Sequence, residues 1–233
     1  MRYIPPVAQL RVAVDVVIFA VKAGRLRVLL IKRGVPPFLG RWAVPGGFLR
    51  EGEGLDAAAR RELKEETGVS EVFLEQLYTF GEPARDPRGR VLSVAYFALL
   101  PSEAAEADAP PAAGGDAAEA AWFDAYDPPP LAFDHAAILD YARQRPRWKI
   151  DCTTAGFGLV PKRFTLTELQ RAFEAALGRA IDKRNFRRKV LGLDVLKATR
   201  ERREEGLPRP ARLYEFSAER FERLRERGVL FPF

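Results

Sequence analysis

Hydrophobic residues run almost unbroken from Val12 to Val21, with Asp15 as the one charge among them. Arg11 to Lys22, rich in Val, Ile and Phe, reads as a strand. Arg25 to Arg33 (RLRVLLIKR) reads as a second, with Ala23-Gly24 as the turn between them. Trp42 to Leu49 (WAVPGGFL) reads as a short strand interrupted at Gly-Gly. Leu55 to Thr67 then predicts a helix, ended by Gly68, a residue type that accepts a left-handed cap. Val72 to Phe80 and Arg90 to Leu100 return to strand, joined by the loop GEPARDPRG. Residues 102–120, rich in Ala, Gly, Asp and Glu, read as a mobile surface loop. Ala120 to Asp124 reads as a short strand and Phe133 to Arg143 as a helix.

The pattern changes near residues 145–160. Arg145 to Lys149 is polar and basic around a proline, and Phe157-Gly158-Leu159-Val160-Pro161 opens a new apolar run. Thr165-Leu166-Thr167-Glu168 is a capping box, and the helix that it starts carries Leu166, Leu169, Phe173 and Leu177 on one face before Gly178 stops it. Asp182 caps a second helix, Lys183 to Leu191. Val195 to Glu204, Gly206 and Arg212 to Phe216 read as a hairpin, and Ser217 caps a last helix, Ala218 to Arg227. Helix, tight turn, helix, hairpin is the order of a winged helix-turn-helix. The expected domains are residues 1–148 and 149–233.

Composition narrows the class. A chain of 233 residues that is 47% hydrophobic has ample material for packed cores. One cysteine, Cys152, excludes an intrachain disulfide framework. No N-terminal signal is visible and the Val12–Val21 run is too short to span a bilayer, so a cytoplasmic location is expected. The net charge of +6 is segregated: residues 1–150 sum to −1 and residues 151–233 to +7. A segregated basic domain suggests a polyanion partner.

Gly47, Glu53, Arg61, Glu62, Leu63, Glu65, Glu66, Gly68 and Val69 form a spaced set. Five residues separate Gly47 from Glu53, and seven separate Glu53 from Arg61. At about 100° per residue, Glu62, Glu65 and Glu66 fall within roughly a 100° arc of one helix. Three carboxylates that close repel unless a cation sits between them. Hard oxygen donors of this kind suit Mg²⁺ or Mn²⁺, which also bridge substrate phosphates. A solvated helix whose acids pair with Arg60, Arg61 and Lys64 is the alternative reading.

The other concentrated signal is Lys183-Arg184-Asn185-Phe186-Arg187-Arg188-Lys189. Phe186 and Val190 share an inward stripe on an ideal helix, while Lys183, Arg184, Arg187 and Arg188 fan over about 140° of the other side. That layout suits a helix in the major groove, where basic side chains reach phosphates and Arg or Asn reads base edges. The hairpin adds Lys197, Arg200, Arg202 and Arg203, with Arg209 and Arg212 past its tip. A solvated helix on a dimerisation module is the alternative.

The nine spaced residues match the Nudix box at every specified position, and the resemblance to the Nudix family covers about residues 8–145. It implies an α/β/α sandwich around a mixed sheet. It also implies that Glu62 and Glu66 ligate metal directly with Glu65 assisting, that the backbone at Gly46 and Gly47 helps, and that Glu53 braces the loop against Arg61. The implied reaction is attack of metal-activated water on a diphosphate. A further carboxylate often acts from a late loop in such enzymes, and Asp116 and Glu119 are the candidates. With FTLTELQRAFEAALGRAIDKRNFRRKVL and RPARLYEF following, the whole chain resembles the Nudix-related transcriptional regulators, the NrtR family. That resemblance implies a homodimeric, ADP-ribose-responsive repressor of NAD metabolism that binds operator DNA. It assigns Arg85, Asp86, Arg88 and Arg90 to an effector pocket, where arginines suit diphosphate oxygens. Many members have a degenerate box. Here the box is intact, so hydrolysis of ADP-ribose to AMP and ribose 5-phosphate is also expected. The competing expectation is a dedicated ADP-ribose pyrophosphatase whose C-terminal domain only dimerises.

Overall fold

A computed structural model describes residues 10–68, 73–100, 117–150, 157, 159–203 and 210–226. Strand β1 (Arg11–Lys22) is buried on both faces, so its sequence lacks the alternation of a half-exposed strand. It runs parallel to β6 (Val91–Leu100) and antiparallel to β2 (Arg25–Arg33), and β5 (Phe73–Phe80) pairs with the outer edge of β6. The β1–β2 hairpin pairs Lys22 with Arg25, leaving Ala23 and Gly24 at φ of 51° and 72°. Two successive left-handed residues give the turn whose twist matches that of the strands.

The expected break at Gly-Gly falls earlier. Strand β3 (Trp42–Ala43) pairs with β2, and β4 (Gly46–Phe48) pairs with β1. Pro45 lies between them, without an N–H to give to a ladder, while its carbonyl accepts the Val16 amide at 2.7 Å. The chain therefore crosses from one strand to the next at the proline, and the glycines lie in a strand against β1. Strand β7 (Ala117–Asp124) begins three residues before the expected start and pairs with β2.

Helices cover both faces of this mixed sheet, which gives the expected α/β/α sandwich. Helix α1 (Leu55–Thr67) buries Ala58, Ala59 and Leu63 against Val14, Val16, Ile18 and Tyr96. Its end matches the expectation, with Gly68 at φ 70°. Helix α2 (His135–Ile150) buries Ile138, Leu139 and Ala142 against the opposite face, where Val17, Phe19, Val28 and Phe97 point. The helix expected to end at Arg143 instead runs on through the basic stretch Arg145–Lys149 to Ile150. Losing one N–H at Pro146 does not end a helix whose earlier turns are held in the core.

The core beneath α2 continues into the second unit. Ile138, Leu139 and Ala142 share it with Leu159, Val160, Leu169 and Phe173. Strand β8 (Phe164–Thr165) leads into α3 (Leu166–Leu177), then α4 (Lys183–Gly192), the hairpin β9 (Leu196–Arg203) and β10 (Ala211–Phe216), and α5 (Ala218–Glu226). The small sheet has the order β8-β10-β9, as a winged helix requires. Both halves of the capping box form: the Glu168 amide donates to Thr165 Oγ1 at 3.2 Å, and the Thr165 amide to Glu168 Oε2 at 2.7 Å. Asp182 caps α4 by accepting the Asn185 amide at 2.7 Å. Ser217 precedes α5 as expected, but its buried Oγ makes no hydrogen bond; only its backbone is engaged. Among the described residues, no helix is long and apolar enough to cross a membrane.

Candidate functional site

Arg61 organises the acidic face of α1. Its Nε and Nη2 donate to the two oxygens of Glu53 at 2.7 and 2.8 Å, and Nη2 also donates to the Phe48 carbonyl at 3.2 Å. Nη1 donates to Glu62 at 2.6 Å and to Glu65 at 3.2 Å. One guanidinium thus ties the loop after β4 to the helix. The Arg61 hydrogen bond and the Arg50 amide pull the Glu53 carboxyl down from 4.5 to about 2. A group with a lowered folded pKa adds stability above its unfolded pKa and loses it as pH falls through the folded one. Urea-denaturation midpoints should therefore decline as pH falls from 4.5 towards 2. In Glu53→Gln that part of the decline should be absent; an unchanged pH profile would rule out this pair as its source.

The three expected metal-site acids lie on one face but in different surroundings. Glu62 and Glu66 are buried, whereas Glu65 is exposed and also held by Arg50 at 3.1 and 3.2 Å. Burial raises the Glu62 pKa, and Arg61 offsets this only in part. Glu66 Oε2 accepts the Gly46 amide at 2.8 Å. The two glycines are there for room. A Cβ on Gly46 would lie 2.3 Å from the Val14 carbonyl, and one on Gly47 would lie 2.2 Å from Glu62 Oε1. Among the described residues, no three Asp, Glu, His or Cys side chains close into a ready-made cage. Mg²⁺ does not need one, since it is commonly held by one or two carboxylates with waters and substrate phosphates completing the shell. Buried, desolvated carboxylate oxygens beside backbone pinned by glycines fit such an ion. Of the two late-loop candidates, Glu119 lies on β7 with its carboxylate 3.4 Å from Lys32 Nζ, and Asp116 lies outside the described residues.

Gly46 and Gly47 also line a cleft, together with Asp15, Arg33, Arg85, Arg88, Phe133 and His135 among others. Arg85 and Arg88 both line it, but Arg85 is not a free cation. It is buried, donates to Asp134 at 2.9 and 2.6 Å, and lies 3.5 Å from Asp15. Burial works against its charge, yet Asp134 and Asp15 more than compensate and hold it protonated. Asp86 is buried too and binds Arg88 through both oxygens, at 2.7 to 3.2 Å. Arg90 points elsewhere, donating to the Gly81 carbonyl at 2.6 Å.

Sequence reasoning missed several residues of this cleft. The Asp15 carboxylate accepts the Ser93 hydroxyl, and its other oxygen faces His135 Nε2 at 3.6 Å. His135 Nδ1 accepts the Val44 amide at 2.9 Å, and burial lowers its pKa, so the ring is neutral with its proton on Nε2. One wall alternates cations and rings. Arg33 and Arg88 lie 4.9 and 5.5 Å from the Phe133 centroid, and Arg88 and Arg11 lie 5.0 and 4.8 Å from that of Phe48. The signals were present but isolated: Asp15 is the lone charge in an apolar strand and His135 the lone histidine.

In the winged helix, α4 buries Phe186 and Val190 and exposes Lys183, Arg184 and Arg188. Asn185 is half-buried and accepts Arg188 Nη2 at 2.9 Å. Arg187 turns back onto α3, donating Nη2 to Thr167 Oγ1 at 3.2 Å, with its Nε buried. On β9, Arg202 is exposed opposite Arg212, whereas Arg203 pairs with Glu168 at the start of α3. On α4 and β9 the exposed cations are thus Lys183, Arg184 and Arg188 with Lys197, Arg200 and Arg202, and Arg187 and Arg203, two of the expected seven DNA-facing residues, act within the domain.

Comparison with known proteins agrees with this layout. The NUDIX domain family model matches residues 9–142, and the NrtR DNA-binding winged helix domain model matches residues 156–216. The chain is 37% identical over 211 residues to an ADPR-responsive transcriptional repressor of Acinetobacter baylyi, covering 90% of this chain and 83% of that one. It is 44% identical over 124 residues to an ADP-ribose pyrophosphatase of Methanocaldococcus jannaschii, covering 53% of this chain and 68% of that one. Among solved structures, Shewanella oneidensis NrtR complexed with a 27mer DNA superposes with a TM-score of 0.76 at 36% identity, covering 91% of this chain and 95% of that one.

Proposed function

This chain belongs to the NrtR family, a Nudix domain joined to an NrtR winged helix domain, and on that premise we propose that it is an ADP-ribose-responsive DNA-binding repressor that also hydrolyses ADP-ribose. ADP-ribose is NAD without its nicotinamide, so a regulator that senses it reports NAD breakdown, and NAD metabolism is the proposed target. The observation that carries the reading is a shared core. Helix α4 presents Lys183, Arg184 and Arg188 outward, and its Phe186 belongs to the same buried cluster as α2 and the Nudix sheet. A change at the cleft therefore has a packed route to the basic helix.

Each half has its chemistry. The cleft offers flat aromatic faces, Phe48 and Phe133, for a base, with Arg33 and Arg88 beside them for anionic oxygens. Glu62 and Glu66, with Glu65 nearer solvent, would hold Mg²⁺ or Mn²⁺. That ion would neutralise the diphosphate and lower the pKa of an attacking water. Arg61 fixes the carboxylates, and the Gly46 amide orients Glu66. Asp116 and Glu119 stay the candidates for a late-loop base, Lys32 being the partner that would have to release Glu119. A homodimer is proposed because two copies of α4 match the two-fold axis of a palindromic operator. We propose residues 1–148 as the Nudix unit and residues 149–233 as the winged helix unit.

The test is a fluorescence-anisotropy titration of duplexes selected by the protein from fragments of its own genome. It is run with and without α,β-methylene ADP-ribose, which cannot be cleaved at the diphosphate. Selective binding weakened about 5–150-fold by the analogue is expected, the usual range of allosteric coupling. Selective binding that the analogue leaves unchanged would remove ADP-ribose as effector. The second reading, a dedicated pyrophosphatase, is favoured by the intact acidic face of α1 and the 44% identity to the archaeal enzyme. It would stand if no selective duplex emerged at low salt while ADP-ribose was turned over.

A further inference from the structure

The first turn of α2 is wired to the floor of the cleft by two consecutive residues. His135 holds the Val44 amide at 2.9 Å, just before Gly46 and Gly47. Asp134 gives both carboxylate oxygens to Arg85, at 2.9 and 2.6 Å. Arg85 also neutralises Asp15, so one buried cation serves two carboxylates. A diphosphate entering the cleft would compete for that guanidinium, with oxygens spaced for bidentate binding.

Asp134 is only partly buried, but losing Arg85 would leave its carboxylate without the cation that holds both its oxygens. Its position supplies a second partner. Asp134 immediately precedes α2, where Asp is among the strongest N-cap residues, serving the amides two and three residues on. Those amides belong to Ala136 and Ala137, and the Ala137 amide now bonds to the Asp134 backbone carbonyl at 2.9 Å instead. The helix N-terminus also favours a carboxylate electrostatically. Asp134 thus has two alternative sets of partners, Arg85 or the start of its own helix, and cannot satisfy both fully.

We propose that Asp134 is the positioning residue that transmits occupancy of the cleft: it releases Arg85 to the ligand's diphosphate and caps α2 in exchange. This rests on the reading above, that a diphosphate ligand enters the cleft and weakens DNA binding. The first turn of α2 is rigidly followed by Ile138, Leu139 and Ala142, which pack in the same core as Leu169 and Phe173 of α3. Phe173 meets Phe186 of α4 edge to face, with centroids 5.5 Å apart. A shift of the first turn therefore reaches the basic helix through side chains in contact.

The test uses the full chain, the selected duplex and α,β-methylene ADP-ribose in Mg²⁺. Asp134→Asn retains a good cap but cannot form the ion pair, so its helix is capped whether or not ligand is present. In that variant the analogue should bind and duplex should bind, but the factor by which one weakens the other should fall to below about two, against about 5–150 in wild type. Asp134→Glu should recover part of it. Backbone hydrogen exchange gives a separate readout: the analogue should slow exchange at Ala136 and Ala137 in wild type, and Asp134→Asn should show slow exchange without it. If Asp134→Asn does not fold, Asp134→Ser, which also caps, replaces it. A wild-type coupling factor in a folded variant, with both ligands bound, would overturn the proposal. A wild-type protein that binds duplex without responding to the analogue would instead sink the functional reading, and that failure is seen in the wild-type arm alone.

Discussion

Glu66→Gln should abolish the proposed ADP-ribose hydrolysis, lowering kcat by at least about 100-fold, the lower end for removing one electrostatic stabiliser from an active site. The substitution keeps the size of the side chain and an oxygen for the Gly46 amide, which now donates to Glu66 at 2.8 Å, so the start of β4 keeps its anchor to α1. What is lost is one negative charge at the proposed metal site. Glu62→Gln should behave alike in turnover and should not lower the thermal midpoint, because burial already disfavours the Glu62 carboxylate. Arg61 keeps Glu53 and Glu65 as partners in that variant. The measurement is the release of AMP and ribose 5-phosphate in Mg²⁺, with a thermal melt on each variant. Loss of activity together with loss of fold would indicate a structural role for these acids, and retained activity in both variants would exclude them as metal ligands.

Arg184→Ala and Arg188→Ala should each weaken the proposed operator binding by about 1–3 kcal/mol if they read bases, and the double variant by roughly the sum. Both side chains are exposed on α4, so their removal leaves the Phe186 and Val190 packing untouched. Salt dependence separates the roles. An arginine on phosphate lowers the slope of log K against log salt by about one when removed and weakens all sequences alike, whereas one on guanine relaxes selectivity at a single position. Arg187→Ala is the internal contrast. Its guanidinium is turned onto Thr167 of α3, so the variant should lose stability and leave the salt slope unchanged. A fall in slope for Arg187→Ala equal to that for Arg188→Ala would place Arg187 on DNA after all. Hydrolysis should be unaffected by all three, since they lie outside the Nudix domain.

The same contrast between neighbours in one motif separates what the chain alone states from what folding adds. Elements with a local cause were legible. The Gly68 and Gly178 stops, the reciprocal capping box of Thr165 and Glu168, and the Ala23-Gly24 turn each depend on residues within one turn of backbone. The acidic face of α1 was legible for the same reason, because helical spacing alone brings Glu62, Glu65 and Glu66 to one side. Long-range pairing was not. Pro45, not the glycines, breaks the strand between β3 and β4, because the crossing point is set by which strand each half pairs with. The basic stretch after Arg143 continues α2 because earlier turns of that helix are anchored in the core, which composition does not report.

Charge identity came from the sequence, and charge availability came from tertiary structure. Arg85, Arg187 and Arg203 look like their exposed neighbours along the chain, yet Asp134, Thr167 and Glu168, which lie 49, 20 and 35 residues away, turn them inward. The converse holds for Asp15 and His135, which no spacing links but which the sheet and the start of α2 bring to 3.6 Å at the cleft floor. A side chain's partners across the fold decide whether its charge faces a ligand or is neutralised inside. Sequence therefore determined the two domains, the acidic helix and the basic helix, and only tertiary packing, at the start of α2 for Arg85 and on α3 for Arg187 and Arg203, decided which cations turn inward and how the two sites are joined.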